Sequence, residues 1–99
     1  MSQPLTAREV CQRLRDAALG VVTLRRIGEP TETGHVSVEI GGWRLVLDFE
    51  DQRLHQCEHC QCQTGREGSL ADWQNYGTDP VSLLSTWELA QIERLLIES

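Results

Sequence analysis

The chain has 99 residues, of which 39% are hydrophobic and 24% are charged, and its formal net charge is −6. This composition is typical of a globular protein and excludes disordered and fibrous classes. The length predicts a single domain over residues 1–99, with one core and little room for a deep cleft. No apolar run reaches the roughly 18 residues of a membrane span, and the acidic total argues against nucleic-acid binding.

The N-terminal segment MSQPLTAREV lacks the apolar stretch of a secretory signal, so we expect a cytoplasmic protein with no membrane association. In the cytoplasm the four cysteines of the chain are expected as thiols. Residues 1–27 carry a net charge of +3 and residues 28–99 carry −9. This asymmetry indicates either oriented docking on a charged partner or pairing of the first helix with the acidic remainder.

The first predicted element is a helix over residues 7–19. Thr6 and Glu9 have the spacing of a capping box at its start, and Gly20 is a natural stop at its end. Residues 21–27 fit either a strand or a helix, because β-branched residues stand beside apolar positions at helical spacing.

The stretch Ser37–Cys62 predicts a three-stranded antiparallel meander. Apolar and polar residues alternate on both sides of Gly41-Gly42, a pair that suits the positive φ angles of a two-residue type I′ turn. This turn sets the register, with Val38 opposite Leu45. A slip of one residue would move every apolar side chain of the hairpin to the solvent face.

The second turn of the meander is expected around residues 50–52. It pairs Phe49 with Leu54, which keeps both side chains in the core. Beyond Leu54, strict alternation would bring the polar residues Gln56 and Glu58 onto the core face. We therefore expect the third strand to fray or to become an edge by Gln56.

Composition predicts loops over residues 28–34 and 63–68. A short helix then follows Ser69 as its N-cap. Its apolar stripe comprises Leu70, Trp73 and Tyr76. Asp79-Pro80 opens a further turn, because proline is tolerated at the first helical position.

The final helix is predicted over residues 86–98, with Ser85 and Glu88 as a second capping box. Its core face carries Leu89, Ile92, Leu95 and Leu96. The meander offers one apolar face for the helices to cover. The predicted fold class is therefore α+β, a three-stranded antiparallel meander with the N-terminal and C-terminal helices packed on one face.

Three segments carry a family resemblance: LTAREV near the start, GGWRLVLDF in the hairpin and GTDPVSLLSTWELAQIERLL near the end. Together they resemble a family of small bacterial proteins known as a domain of unknown function. The shared motifs are caps, a turn and a core. The resemblance implies a single domain over most of the chain, and it implies no activity, cofactor or catalytic residue.

The residues suited to metal chemistry cluster at the end of the meander: His55, Cys57, His59, Cys60 and Cys62. Cys-x2-Cys spacing can present two thiolates to one zinc ion, and a third thiol and one imidazole would complete a tetrahedron. Zinc ribbons take a second ligand pair from about 12–20 residues away, however, and none exists here. On a regular strand, His55 and Cys57 would also face away from Cys60 and Cys62. The alternative interpretation is a strand end that binds no metal.

Two further interpretations use fewer residues. Cys57 and Cys60 have the spacing of a redox dithiol, but such motifs act at helix N-termini and this one follows a strand. The predicted register also places His35, Asp48 and His55 in one row on the polar face. Two imidazoles and a carboxylate suit a divalent metal or an acid–base pair, while the ordinary interpretation is an exposed cross-strand contact.

The remaining residues indicate binding and not catalysis. Cys11 is expected in the core, and Trp43, Trp73 and Trp87 in the core or at its margin, unless two of them prove exposed together. We predict a non-catalytic interaction or regulatory module that docks a protein partner through the sheet's polar face or an exposed tryptophan edge. The alternatives are a zinc-binding domain and a thiol redox protein.

Overall fold

The computed structural model describes residues 5–28, 32, 34–75 and 77–98. The elements in chain order are α1 (Ala7–Ala18), β1 (Leu24–Ile27), β2 (His35–Ile40), β3 (Trp43–Glu50), β4 (Arg53–Gln61), β5 (Glu67–Ser69), α2 (Leu70–Gln74) and α3 (Thr86–Glu98). The strands form one antiparallel sheet in the order β1-β2-β3-β4-β5. The α+β class with helices at both ends is confirmed, but the prediction of three strands is wrong.

The two additional strands lie at the edges of the sheet. β1 comes from the ambiguous segment, where Leu24 is buried opposite Ile40. β5 comes from a predicted loop, and its Gly68 pairs with Cys60. A Cβ on Gly68 would lie 2.8 Å from a backbone oxygen, that of Leu5. The glycine is therefore required by close packing and does not mark a turn.

The β2–β3 hairpin follows the predicted register in full. Gly41 and Gly42 have φ angles of 56° and 86°, as a type I′ turn requires. Val38 lies opposite Leu45, and the other apolar pairs fall on the same face. The hairpin confirms that turn geometry and one-sided burial are enough to specify its register.

Strand β4 differs from the prediction after its turn. Phe49 pairs with Leu54 as expected, but the strand neither frays nor becomes an edge, since it continues to Gln61 between β3 and β5. Two irregularities in the pairing insert one extra residue each, at His55 and at Glu58. Each β-bulge shifts the alternation by one position, so apolar residues return to the core face.

The predicted helix boundaries are correct to within a residue at α1 and α3. At α1 the Thr6 hydroxyl accepts from the backbone N–H of Glu9, and the Glu9 carboxylate accepts from the N–H of Thr6. Ser85 and Glu88 form the same two bonds at α3. Tyr76 lies outside the described residues. No helix in the described ranges is long and apolar enough to cross a membrane.

The helices and the sheet share one hydrophobic core. α1, α2 and α3 all contribute buried residues to the cluster formed by the inner face of the sheet. Hydrogen bonds tie α3 to other described parts of the molecule, among them Arg15 to Glu88 at 2.6 Å, the backbone N–H of Leu54 to Glu93 at 2.9 Å, and Arg26 to the carbonyl of Leu96 at 3.2 Å. The opposite face of α3 consequently points away from the sheet.

Candidate functional site

The bulges divide the histidine and cysteine cluster between the two faces of the sheet. Cys57, Cys60 and Cys62 are all buried in the core. His59 lies on the opposite side of β4, and His55, at the first bulge, is exposed. The expected grouping of His55 with Cys57, facing away from the other two thiols, is wrong. It assumed regular alternation, and the bulges interrupt that alternation twice.

Burial sets the acidity of two of these thiols. It raises the pKa of Cys57 well above its ordinary value and raises the pKa of Cys60 to about 12. Cys62 behaves differently, because its contact with the Thr64 hydroxyl, 3.0 Å from Sγ to Oγ1, lowers its pKa. Since the thiolate is the reactive and metal-binding form, Cys62 is the most readily ionised of the three.

The zinc and dithiol interpretations stay predictions. Within residues 5–28, 34–75 and 77–98, no three His, Cys, Asp or Glu side chains are grouped so as to hold a metal ion. Cys57 and Cys60 lie inside strand β4 and not in the first turn of a helix, where the helix dipole would lower a thiol pKa. Metal analysis of untagged protein tests the first interpretation, and a dithiol-linked reductase assay tests the second.

The predicted row of His35, Asp48 and His55 is correct only in its first pair. His35 lies opposite Asp48, but Gln56 occupies the place on β4 that was assigned to His55. The first bulge explains the displacement, because it inserts His55 between the Phe49–Leu54 pair and the Asp48–Gln56 pair. An amide stands where a second imidazole was expected, so the proposed acid–base row is not assembled.

The sheet face opposite the helices, called the open face below, carries its side chains in ordered rows. One row crosses all five strands and comprises Arg25, Glu39, Arg44, Gln61 and Glu67. The next comprises Ile27, Ser37, Val46, His59 and Ser69. In the described part of the chain every helix packs against the other face, so these rows remain accessible.

His35 and His59 lie on the open face, and each is close to a carboxylate. Nε2 of His35 lies 3.5 Å from Oε1 of Glu58, and Nε2 of His59 lies 3.7 Å from Oε1 of Glu67. Gln56 also donates to Glu58 at 2.9 Å. Both contacts therefore place an imidazole nitrogen beside a carboxylate oxygen on the open face.

The three tryptophans occupy different environments. Trp73 is buried, and its indole N–H donates to the carbonyl of Leu5 at 2.9 Å. Trp43 is half-buried under the guanidinium of Arg13, 4.6 Å from the ring centroid. Trp87 is 58% exposed and not at the core margin as expected. A patch built from two exposed tryptophans is therefore not formed.

Glu58 and Glu67 were not identified from the sequence as neighbours of histidines. A usable signal was nevertheless present, because Leu54, Cys57 and Cys60 are apolar and three residues apart. A regular strand cannot bury all three. Two bulges allow all three side chains to be buried, and they also turn Glu58 towards His35 of β2.

The fold and the site define a small α+β domain with helices on one face of an antiparallel sheet and an open polar face on the other. The chain belongs to the family described as domain of unknown function DUF7693, whose model matches residues 4–98. No curated protein and no solved structure matches the chain. The family resemblance is thus confirmed, while the bacterial origin that it implied stays a prediction.

Proposed function

We propose that this protein is a non-catalytic interaction module that docks a protein partner through the open face. The observation that carries the proposal is the one-sided covering of the sheet, which leaves five adjacent strands accessible in the described residues. Antiparallel sheets commonly expose one face. The open face is distinguished by the order of its rows of polar and apolar side chains.

The row that contains Ile27, Ser37 and Val46 lies between two polar rows, as the apolar centre of an interface does. Ile27 and Val46 supply apolar surface there, separated by the small hydroxyl of Ser37. A charged row lies on one side, and the row of His35 and Asp48 lies on the other. An apolar centre with a polar border is the usual anatomy of protein–protein contacts.

The charges of the open face favour a protein over a nucleic acid as the partner. Along the charged row, Arg25, Glu39 and Arg44 alternate in sign, and Glu67 ends the row with a negative charge. A phosphate backbone needs a predominantly basic surface. Alternating charges are instead matched by the mixed charges of another protein, where they contribute to specificity and register.

Site-specific photo-crosslinking tests the proposal. A photoreactive residue replaces Ser37, which is exposed at the centre of the open face, and a control variant carries it at Gln74 on α2. In the cells of origin, a defined protein should crosslink from position 37 and not from position 74. The Ile27→Asp variant should lower the yield at position 37 severalfold. Equal crosslinking from both positions, or none from position 37, would contradict docking through this face.

A further inference from the structure

Helix α3 has an exposed apolar stripe on the side that faces away from the sheet. Trp87 is 58% exposed near one end of the helix and Ile97 is 51% exposed near the other. Ala90 and Arg94 are exposed between them. Successive separations of three, four and three residues place these four side chains on one helix face. They are called the α3 stripe below.

The two ends of the α3 stripe differ in charge. Next to its start lies a surface depression of about 240 Å³, whose lining includes Leu83, Arg8 and Arg15. Arg15 is bonded to Glu88, but Arg8 forms no ion pair with any other described residue. The far end of the helix carries Glu98, whose Oε1 accepts from Nε of Arg94 at 3.1 Å, and the helix dipole is negative there.

We propose that a second copy of this chain covers the α3 stripe, forming a twofold-symmetric dimer in which the two α3 helices run antiparallel. This inference goes beyond the proposed function, because it assigns a separate surface and a separate partner. The antiparallel arrangement sets Trp87 against the second copy's Ile97. Glu98 of each copy then approaches Arg8 and the positive end of the other α3.

Size complementarity supports the same arrangement. With Trp87 and Ile97 opposed, Ala90 falls opposite the second copy's Arg94, and the small side chain leaves room for the longer one. A parallel pair would instead oppose Trp87 with itself and Glu98 with itself. A twofold interface must be self-complementary, and this stripe is so only in the antiparallel sense.

The expected affinity follows from the size of the contact. α3 has 13 residues and is therefore about 20 Å long. A contact centred on one helix of this length belongs to the small end of specific interfaces, so we expect a dissociation constant of about 10–100 μM. The dimer would leave both open faces directed outwards, so that it could engage two sites at once.

Sedimentation velocity and light scattering over about 5 μM to 1 mM protein test the proposal. The mass should rise with concentration from 11.2 kDa towards twice that value. Trp87→Asp and Ile97→Asp should each weaken association by about thirtyfold or more. Val21→Asp is the matched control, because Val21 is 70% exposed outside α3 and its replacement should leave association unchanged.

A double-mutant cycle tests the antiparallel register independently. Arg8→Ala and Glu98→Ala should each weaken the dimer about threefold to fivefold, as expected for a peripheral ion pair, and the double variant should be no weaker than either single variant. Far-UV circular dichroism verifies that each variant is folded. A wild-type mass that stays at 11.2 kDa overturns the dimer, as does a dimer that Trp87→Asp leaves intact. Additive losses in the double variant overturn the register.

Discussion

Replacing Glu88 by glutamine should weaken the attachment of α3 to α1 while leaving most of the helix cap in place. Glu88 is only 9% exposed, and its two carboxylate oxygens accept hydrogen bonds from different donors. Oε1 accepts from the backbone N–H of Ser85 at 2.9 Å, and Oε2 accepts from Nε of Arg15 at 2.6 Å. A glutamine keeps one oxygen for the cap and turns an NH₂ donor towards the guanidinium.

The size of the effect can be worked out from these contacts. A hydrogen bond to a charged group contributes about 1.5–3 kcal/mol when it is buried. Because Arg15 is partly exposed, solvent screening reduces this contribution, so Glu88→Gln should lower the free energy of unfolding by about 1 kcal/mol. Glu88→Ala also removes the cap, which adds about 1 kcal/mol. For a domain of this size the glutamine variant should melt about 4–8 °C lower.

A double-mutant cycle measured by urea denaturation isolates the contact itself. Arg15 is 38% exposed, so solvent screening limits its coupling with Glu88 to about 1 kcal/mol. The control is the cycle for Arg25 and Glu39, whose 3.4 Å contact is much more exposed and should couple by less than about 0.5 kcal/mol. Equal coupling energies in the two cycles would refute the assignment of Arg15–Glu88 as the link between the helices.

The same contact predicts a dependence on pH. The backbone N–H of Ser85, together with its hydroxyl and Arg15, lowers the pKa of Glu88 below its ordinary value of 4.5 despite the opposing effect of burial. A carboxyl group whose pKa is lower in the folded state stabilises the fold above its unfolded-state pKa, and that stabilisation is lost as the pH falls through the folded-state pKa. The difference in unfolding free energy between wild type and Glu88→Gln should therefore be constant near neutrality and shrink below about pH 4.5.

Two further predictions concern the core. Gly68→Ala should destabilise the fold by about 1–3 kcal/mol, because the new Cβ would lie 3.0 Å from the ring of Trp73. It should also alter the near-ultraviolet circular dichroism of this buried indole. Gly65→Ala strains the backbone, because Gly65 has a φ of 88°, but its Cβ meets no atom within 4 Å, so it should leave the near-ultraviolet signal unchanged. Cys62 should react first with a disulfide reagent at pH 8, and Cys57 and Cys60 should react only on unfolding. Mass spectrometry of the labelled protein identifies the order, and early labelling of Cys60 would contradict the pKa assignment.

Features that depend on residues a few positions apart were predictable. The capping box of Thr6 and Glu9 is satisfied within one helical turn. The Gly41-Gly42 turn sets the hairpin register because both positions need positive φ and one strand face must be buried. These local interactions need no knowledge of the rest of the fold.

The candidate site was less predictable because it depends on strand partners distant in sequence. Propensity left residues 21–27 undecided and assigned Gly68 to a loop, whereas pairing with β2 and β4 makes both segments strands. Alternation alone could not predict the bulges at His55 and Glu58. They occur because burying Leu54 and the β4 thiols beneath the helices outweighs regular pairing.

The sequence by itself determined α1 and α3, their capping boxes and the central hairpin, because each is specified by short-range geometry and a simple apolar pattern. Only the tertiary structure decided which side chains share the open face and which thiols enter the core. That division depends on where β4 changes its alternation. The change is set by packing against α2 and α3 and not by any residue's own preference.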